Sequence, residues 1–390
     1  MRPPRARRKI RLAMPPPEHH NIYTRLLRPL MFRLDPETAH RWTLAALSLT
    51  PSPRRPRHSP DPVELATTVF GLTFANPIGL AAGMDKDARA VRAWNALGFG
   101  FVELGTVTPR PQPGNAPPRM WRLAEHRALI NRLGFPGNGM DAAAQRLVSI
   151  RKDRLPIRLV LNFGPNKDTP PDRVAEDYAA LTRRLAQFAD AIVVNLSSPN
   201  TPGLREFQAP ERMRAIVEAI RTALSSTQPA TLPDAANAIP TAAPRQPPLL
   251  VKIAPDLDSA QLSAVCAAAI GLVDGIVATN TTLKREEVGV NATFEGGLSG
   301  SPLLARSREV IAQVYRETHG RTPIIGVGGI ASAEDAYGHI RAGASLVELY
   351  TGMIYRGPSL AREIKRGLVR LLARDGFRSI SEAVGSASRS

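Results

Sequence analysis

Eight short apolar runs of β type, each followed by a stretch of helical periodicity, recur over about 290 residues of this 390-residue chain. Few architectures accommodate that rhythm. The runs are PIGLAAG (77–83), FVELGTV (101–107), LVLNFG (159–164), AIVVNLS (191–197), LLVKIA (249–254), GIVATN (275–280), PIIGVGG (323–329) and SLVELYT (345–351). Between them lie helical patterns such as DARAVRAWNAL, PDRVAEDYAALTRRLAQFA, DSAQLSAVCAAAI and SAEDAYGHIRA. Asp258 with Gln261, and Ser332 with Asp335, stand where helix caps and first-turn acceptors belong. Eight β-then-α units of this length predict an α/β fold, a parallel (β/α)8 (TIM) barrel rather than an open sheet.

Charge at first points elsewhere. The chain carries a net +17, a value that invites a nucleic-acid reading. Residues 1–58, however, hold 13 Arg or Lys against 3 Asp or Glu, a net +10 that leaves only +7 for the rest. Basicity is thus largely N-terminal, as suits a segment facing anionic lipid rather than a DNA-reading fold. Aromatics, at 5%, are also too sparse for base-stacking platforms. The single cysteine, Cys266, excludes a disulfide framework and cysteine-ligated clusters within the chain, and its run LSAVCAAAI reads as a buried helical thiol. The histidines show no ligand spacing, so no metal site is expected. No apolar run approaches the roughly 20 residues of a membrane-spanning helix, and the first residues lack the apolar core of a secretory signal.

The N-terminal part divides further. Residues 1–20 read as a disordered Arg/Pro-rich leader. Residues 21–58 hold two short helices and a Pro/Arg linker, with Asp35-Pro36 as the cap and first-turn pair between the helices. Their small apolar faces serve equally for docking on the main domain or for lying on a membrane with Arg25, Arg28 and Arg33 towards the headgroups. The barrel is expected over 59–374, followed by a C-terminal tail at 375–390. Residues 225–248 hold six prolines and read as a surface loop away from the active face.

Barrels of this kind gather reactive groups at the C-terminal ends of their strands. Here all eight runs end in polar or small residues: Lys86, Gly105-Thr106, Asn162, Asn195 with Ser198 and Asn200, Lys252, Thr279-Asn280-Thr281, Gly326 with Gly328-Gly329, and Tyr350-Thr351. GGLSG (296–300) and GVGG let backbone amides approach a phosphate, although each cluster alone reads equally as a turn. Lys252, inside an apolar strand, needs an anionic or electron-rich partner, a role an isoalloxazine ring would fill. Asparagines around a small cavity suit a planar ligand bearing carbonyls and N–H groups.

The runs NPIGLAAGMDKD, GFGFVELGTVTPRPQPGN, NRLGF, VVNLSSPNTPGLR, VKIAPDL, ATNTT, GGLSG, PIIGVGGI and GASLVELYTG, in this order over about residues 20–370, closely resemble the dihydroorotate dehydrogenase family. The resemblance implies oxidation of dihydroorotate to orotate, a step of pyrimidine synthesis, with FMN as hydride acceptor. It places FMN contacts on Ala82, Gly83, Met84, Asp85, Lys86, Thr106, Asn162, Asn195, Lys252, Thr279, Gly300, Gly329, Tyr350 and Thr351. Substrate contacts fall on Lys86, Asn131, Arg132, Leu133, Gly134, Phe135, Asn195, Asn200, Asn280 and Thr281.

The catalytic base position falls on Ser198, where the soluble members carry cysteine. Serine together with an N-terminal helical extension resembles the membrane-associated, quinone-reducing class 2, which needs no iron–sulfur partner subunit. Ser198 would take the proton from C5 while C6 passes hydride to the flavin, and Lys86 would neutralise the substrate carboxylate. The helical extension would form the quinone's entrance, on the cytoplasmic face of a bacterial inner membrane rather than in a mitochondrion. Two loops depart from the family pattern: Pro136-Gly137-Asn138-Gly139, where an Asn-Asn-x-Gly turn is expected, and Pro165, where lysine is usual. Competing readings are another FMN barrel acting on a related pyrimidine, a basic binding module for nucleic acid or membranes, and a catalytically silent barrel. NRLGF and NLSSPN speak against the first, the charge distribution against the second, and Lys86 with Ser198 against the third.

Overall fold

The computed structural model describes residues 21–51, 60–201, 203–226, 246–288 and 294–389. The leader, most of the Pro/Arg linker and the bulk of the Pro-rich loop fall outside these residues. Eight parallel strands close into a barrel: Ile78–Leu80, Phe101–Val107, Arg158–Phe163, Ala191–Asn195, Leu249–Ile253, Gly275–Ala278, Ile324–Val327 and Ala344–Leu349. Each pairs with its neighbour in sequence, and the eighth pairs with the first through Val347 opposite Ile78. The expected (β/α)8 fold is therefore present. Several strands end sooner than their apolar runs, because the polar and glycine residues that close those runs leave the ladder and turn over the barrel mouth.

The helices pack by the usual amphipathic logic. In Leu360–Asp375, the residues Leu360, Ile364, Leu368 and Leu372 recur every fourth position and are at most 1% exposed. Burying each contributes roughly 1.5–3 kcal/mol. The helix stops at Gly376, whose φ of 77° is the left-handed conformation that favours glycine. Asp258 forms a full capping box with Gln261, and Ser332 accepts from Asp335 N–H, as their spacing predicts. Cys266 is buried in the helix Ser259–Ala269, where burial pushes its thiol up to about 12. The C-terminal segment is not loose: Ile380 and Ala383 are fully buried, and Ala387 N–H donates to Arg341 O at 2.9 Å.

Two smaller sheets escape the eightfold rhythm. A hairpin, Thr67–Val69 with Leu72–Phe74, seals the N-terminal end of the barrel with Phe70 and Phe74. Phe74 meets Phe101 edge-on at 5.6 Å, and the Phe101 and Phe70 rings occupy the space that side chains at Gly79 and Gly275 would need. At the other end, Gly297–Gly300 pairs antiparallel with Ala128–Asn131, which pairs with Met120–Leu123. GGLSG is thus an edge strand roofing the mouth rather than a free loop.

The N-terminal helices α1 (Arg28–Phe32) and α2 (Pro36–Ser48) are joined at Asp35, whose carboxylate accepts from Thr38 N–H at 2.9 Å. One side docks: Tyr23 Oη donates to Ile354 O at 2.7 Å, Arg119 grips Glu37 through two bonds of 2.9 and 2.6 Å, and Leu44 is buried. The other side is bare, with Ile22, Leu26, Leu27, Leu30, Trp42 and Leu49 each more than half exposed. Docking and an outward apolar face therefore coexist. Arg25 and Arg33 are exposed as expected, but Arg28 is half-buried and donates to Tyr355 O at 3.2 Å, so the docking surface claims it. Among the described residues no helix is long and apolar enough to cross a membrane.

Candidate active site

The strand ends converge on one cavity, about 990 Å³ when the open space at its mouth is counted. Lining it are Ala82, Gly83, Lys86, Thr106, Asn131, Leu133, Gly134, Phe135, Asn195, Ser198, Asn200, Lys252, Thr279, Asn280, Thr281, Gly300, Gly329, Tyr350 and Thr351, nearly all the residues expected there. Four expected residues do not line it. Met84 is in the core. Asp85 accepts from Arg89 N–H, Ala90 N–H and Trp94 Nε1 at 2.7–3.1 Å, so it ties down the turn behind Lys86. The Arg132 guanidinium turns to Glu295 at 3.0 Å. Asn162 stands one layer below, accepting from Thr106 Oγ1 at 2.6 Å and donating to Glu103.

An amide network spans the middle of the cavity. Asn195 Nδ2 donates to Thr106 Oγ1 at 2.9 Å, while Asn280 Nδ2 donates to Asn195 Oδ1 at 3.3 Å and to Ser197 Oγ at 3.0 Å. Higher up, Asn200 Nδ2 donates to Asn131 Oδ1 at 3.1 Å. Ser198 Oγ accepts from Asn200 N–H at 3.2 Å, and among the described residues no carboxylate or imidazole hydrogen-bonds it. Lys86 Nζ donates to Gly83 O at 2.8 Å, and burial pulls its pKa down to about 8 against the opposing charges of Asp87 and Glu37. Glu37 belongs to α2, as does His40, whose pKa burial drives down to about 3 with Lys86 as the next influence. Helix α2 therefore sits on the Lys86 side of the cavity.

The floor holds what sequence reasoning missed. Lys252 Nζ donates to Glu103 at 2.7 Å and lies 3.7 Å from Glu348, all three at most 4% exposed. The partner demanded by Lys252 is thus a protein carboxylate rather than a cofactor ring alone. Lys252→Met would strand Glu103 without its counter-charge, at a cost of roughly 3–5 kcal/mol. Urea unfolding is expected to show the lower midpoint, and an unchanged midpoint would mean that the pair adds nothing.

The donor set and the glycines fit a phosphate-bearing planar group. Gly300 and Gly329 have φ of 98° and 75°, and side chains there would strike Arg127 O and Leu304. Ser299 and Thr351, bonded at 2.8 Å, stand beside them. The two departing loops keep off the cavity: Asn138 is clamped by Asp87 through two 3.0 Å bonds, and beyond Pro165, Lys167 donates to Asn115 Oδ1 at 2.8 Å.

Comparison with known proteins agrees with this arrangement. The family model described as dihydroorotate dehydrogenase matches residues 64–372. A protein of Acidithiobacillus ferrooxidans named dihydroorotate dehydrogenase (quinone) is 49% identical, over 93% of this chain and 98% of its own length. One of that name from Deinococcus radiodurans is 46% identical, over 92% and 98%. The crystal structure of DHODH from Eimeria tenella in complex with ferulenol superposes with a TM-score of 0.85 at 39% identity, covering 93% of this chain and 99% of that one. The barrel with its helical extension, the cavity and these likenesses lead to one conclusion: the chain belongs to the dihydroorotate dehydrogenase family.

Proposed function

We propose that the chain oxidises dihydroorotate to orotate in pyrimidine biosynthesis, with FMN as the resident electron acceptor and a quinone as the final one. The observation that carries this is the placement, in a chain of this family, of Lys86, Ser198 and four asparagines around one cavity floored by Lys252. When bound, FMN supplies a two-electron acceptor able to hand its electrons on to a quinone. The chain's residues do the rest. Lys86 pairs with the substrate carboxylate, while Asn131, Asn195, Asn200 and Asn280 fix the planar ring by matched donors and acceptors.

Ser198 Oγ removes the C5 proton, and the Asn200 N–H pointing at that oxygen favours its proton-accepting state. With no side-chain base among the described residues bonded to it, Ser198 passes the proton to water. The backbone at Gly300 and Gly329 takes the phosphate. The quinone enters beside α2, whose outer apolar face rests on the membrane's cytoplasmic surface.

An anaerobic visible spectrum tests this directly. The purified protein should be yellow, bleach with dihydroorotate and regain its colour with a short-chain quinone. A yellow protein that dihydroorotate leaves oxidised would overturn the substrate.

The protonation of Lys86 gives a pH signature. It must be charged to hold the substrate carboxylate, and its pKa is about 8, so rising pH removes the cation. The value of kcat/KM for dihydroorotate should fall roughly tenfold per pH unit above that point. Lys86→Arg should move this limb upward, because a guanidinium stays charged. A limb that stays in place in the variant would assign it to another group.

A further inference from the structure

Among the described residues, Ser198 Oγ is hydrogen-bonded only within its own loop. The N–H it accepts belongs to Asn200, two residues further on, so that bond shapes the turn without fixing its place in the barrel. The anchor lies one peptide earlier. Ser197 is fully buried, and its Oγ donates to Asn195 Oδ1 at 3.2 Å and accepts from Asn280 Nδ2 at 3.0 Å. Its carbonyl, in the peptide that leads to Ser198, accepts from Arg205 Nε at 3.0 Å.

Arg205 stands in the short turn Leu204–Gln208, is half-buried and is not among the residues bordering the cavity. Its guanidinium nevertheless joins the loops of three strands. Nε holds the loop after the fourth strand, Nη1 meets Asp256 Oδ2 at 2.7 Å beyond the fifth, and Nη2 donates to Thr281 O at 2.9 Å beyond the sixth. Asp256 is a fixed post. It accepts from Thr282 Oγ1 and from Leu283 N–H at 3.0 Å, while Arg306 donates to the carbonyls on either side of it, Pro255 O and Leu257 O, both at 2.9 Å. Gln208, 3% exposed, secures the Arg205 backbone: its amide donates to Arg205 O at 3.1 Å and accepts from Ala254 N–H at 2.8 Å.

We propose that Arg205 is a positioning residue for the proton transfer, a planar fork that sets the Ser198 peptide against Asn280 and Thr281 without itself touching substrate or flavin. This rests on the reading of Ser198 as the base. The fourth and sixth strands are not paired in the sheet, so ladder hydrogen bonds do not fix one loop against the other. A rigid guanidinium with three bonds in set directions does, and the Asp256 counter-charge keeps it in one orientation.

Stopped-flow bleaching of the FMN-loaded enzyme by dihydroorotate tests the assignment. Arg205→Met removes the fork and should slow flavin reduction about 10²-fold, the loss expected when a reacting group is misplaced by about 1 Å. Arg205→Lys keeps a cation for Asp256 but not the three directions, and should still lose about tenfold. A wild-type rate in Arg205→Lys would overturn the proposal. Both variants should retain FMN within about twofold of the wild-type affinity, as independent sites do; release of FMN would make Arg205 a general support of the mouth and overturn it too.

The comparison that a merely structural role would fail pairs each variant with Ser198→Ala. A residue acting through Ser198 has nothing to position once the hydroxyl is gone. Arg205→Met or Arg205→Lys should therefore slow the Ser198→Ala enzyme by no more than about twofold. Losses that multiply would overturn the proposal, because Arg205 would then act elsewhere. If Ser198→Ala alone leaves the rate unchanged, the base reading fails and takes the proposal with it. If Ser198→Ala slows bleaching and the Arg205 variants do not, only the role of Arg205 is refuted.

Discussion

Ser198→Ala is expected to slow flavin reduction by dihydroorotate about 10³-fold, within the range contributed by positioned acid–base groups. The change should appear in the rate of bleaching under stopped flow, with little effect on substrate affinity, because the contacts assigned to binding belong to Lys86 and the asparagines. The environment of Ser198 explains the expected size. Its oxygen receives one backbone N–H, and among the described residues no side-chain base is bonded to it, so none of them would take over the proton when the hydroxyl is gone. Ser198→Cys should keep a larger part of the rate, since a thiol ionises more readily than a hydroxyl. Equal rates in Ser198→Ala and the wild type would move the proton transfer to another group.

Removing residues 1–58 should abolish quinone-dependent turnover while leaving bleaching by dihydroorotate in place. The segment binds the barrel by its edges, through Tyr23 to Ile354, Glu37 to Arg119 and Leu34 O to Arg122, and none of its described residues lines the cavity. What it supplies is the wall beside Lys86 and an outward face of exposed apolar side chains. Anaerobic reduction followed by addition of a short-chain quinone separates the two half-reactions. A truncated protein that turned over quinone at the full rate, or one that dihydroorotate no longer bleached, would contradict the division of labour.

The eight strands were legible because each is a compact β-type run bounded by residues that cannot continue a ladder, and the caps at Asp258 and Ser332 were legible from spacing alone. The roof strand Gly297–Gly300 was not: four residues of GLSG carry no periodicity, and its glycines read naturally as a turn. Among site residues, Lys252 announced itself as a cation in an apolar strand. Glu103 in FVELGTV and Glu348 in SLVELYT carry the same signal with opposite sign. They went unread because one charged residue in a strand ordinarily faces water, and only barrel closure turns all three inward. Asp85 illustrates the opposite error. It stands beside Lys86 in the sequence, but the turn between them sends its carboxylate into the helix behind, so adjacency along the chain did not become adjacency in the cavity.

The bond between Tyr23 and Ile354 joins residues 331 positions apart. Chains grow from the N-terminus at about 5–20 residues per second, so Tyr23 leaves the ribosome roughly 15–65 s before Ile354, the residue that will receive it. Through that interval the side of the segment that Ile354 and Tyr355 will cover, around Tyr23 and Phe32, has no partner from that part of the chain. Any other apolar surface within reach, a chaperone or a lipid bilayer, has the first opportunity to engage the segment. The order of synthesis thus gives the helical extension time to find its outer partner before its inner one has been made.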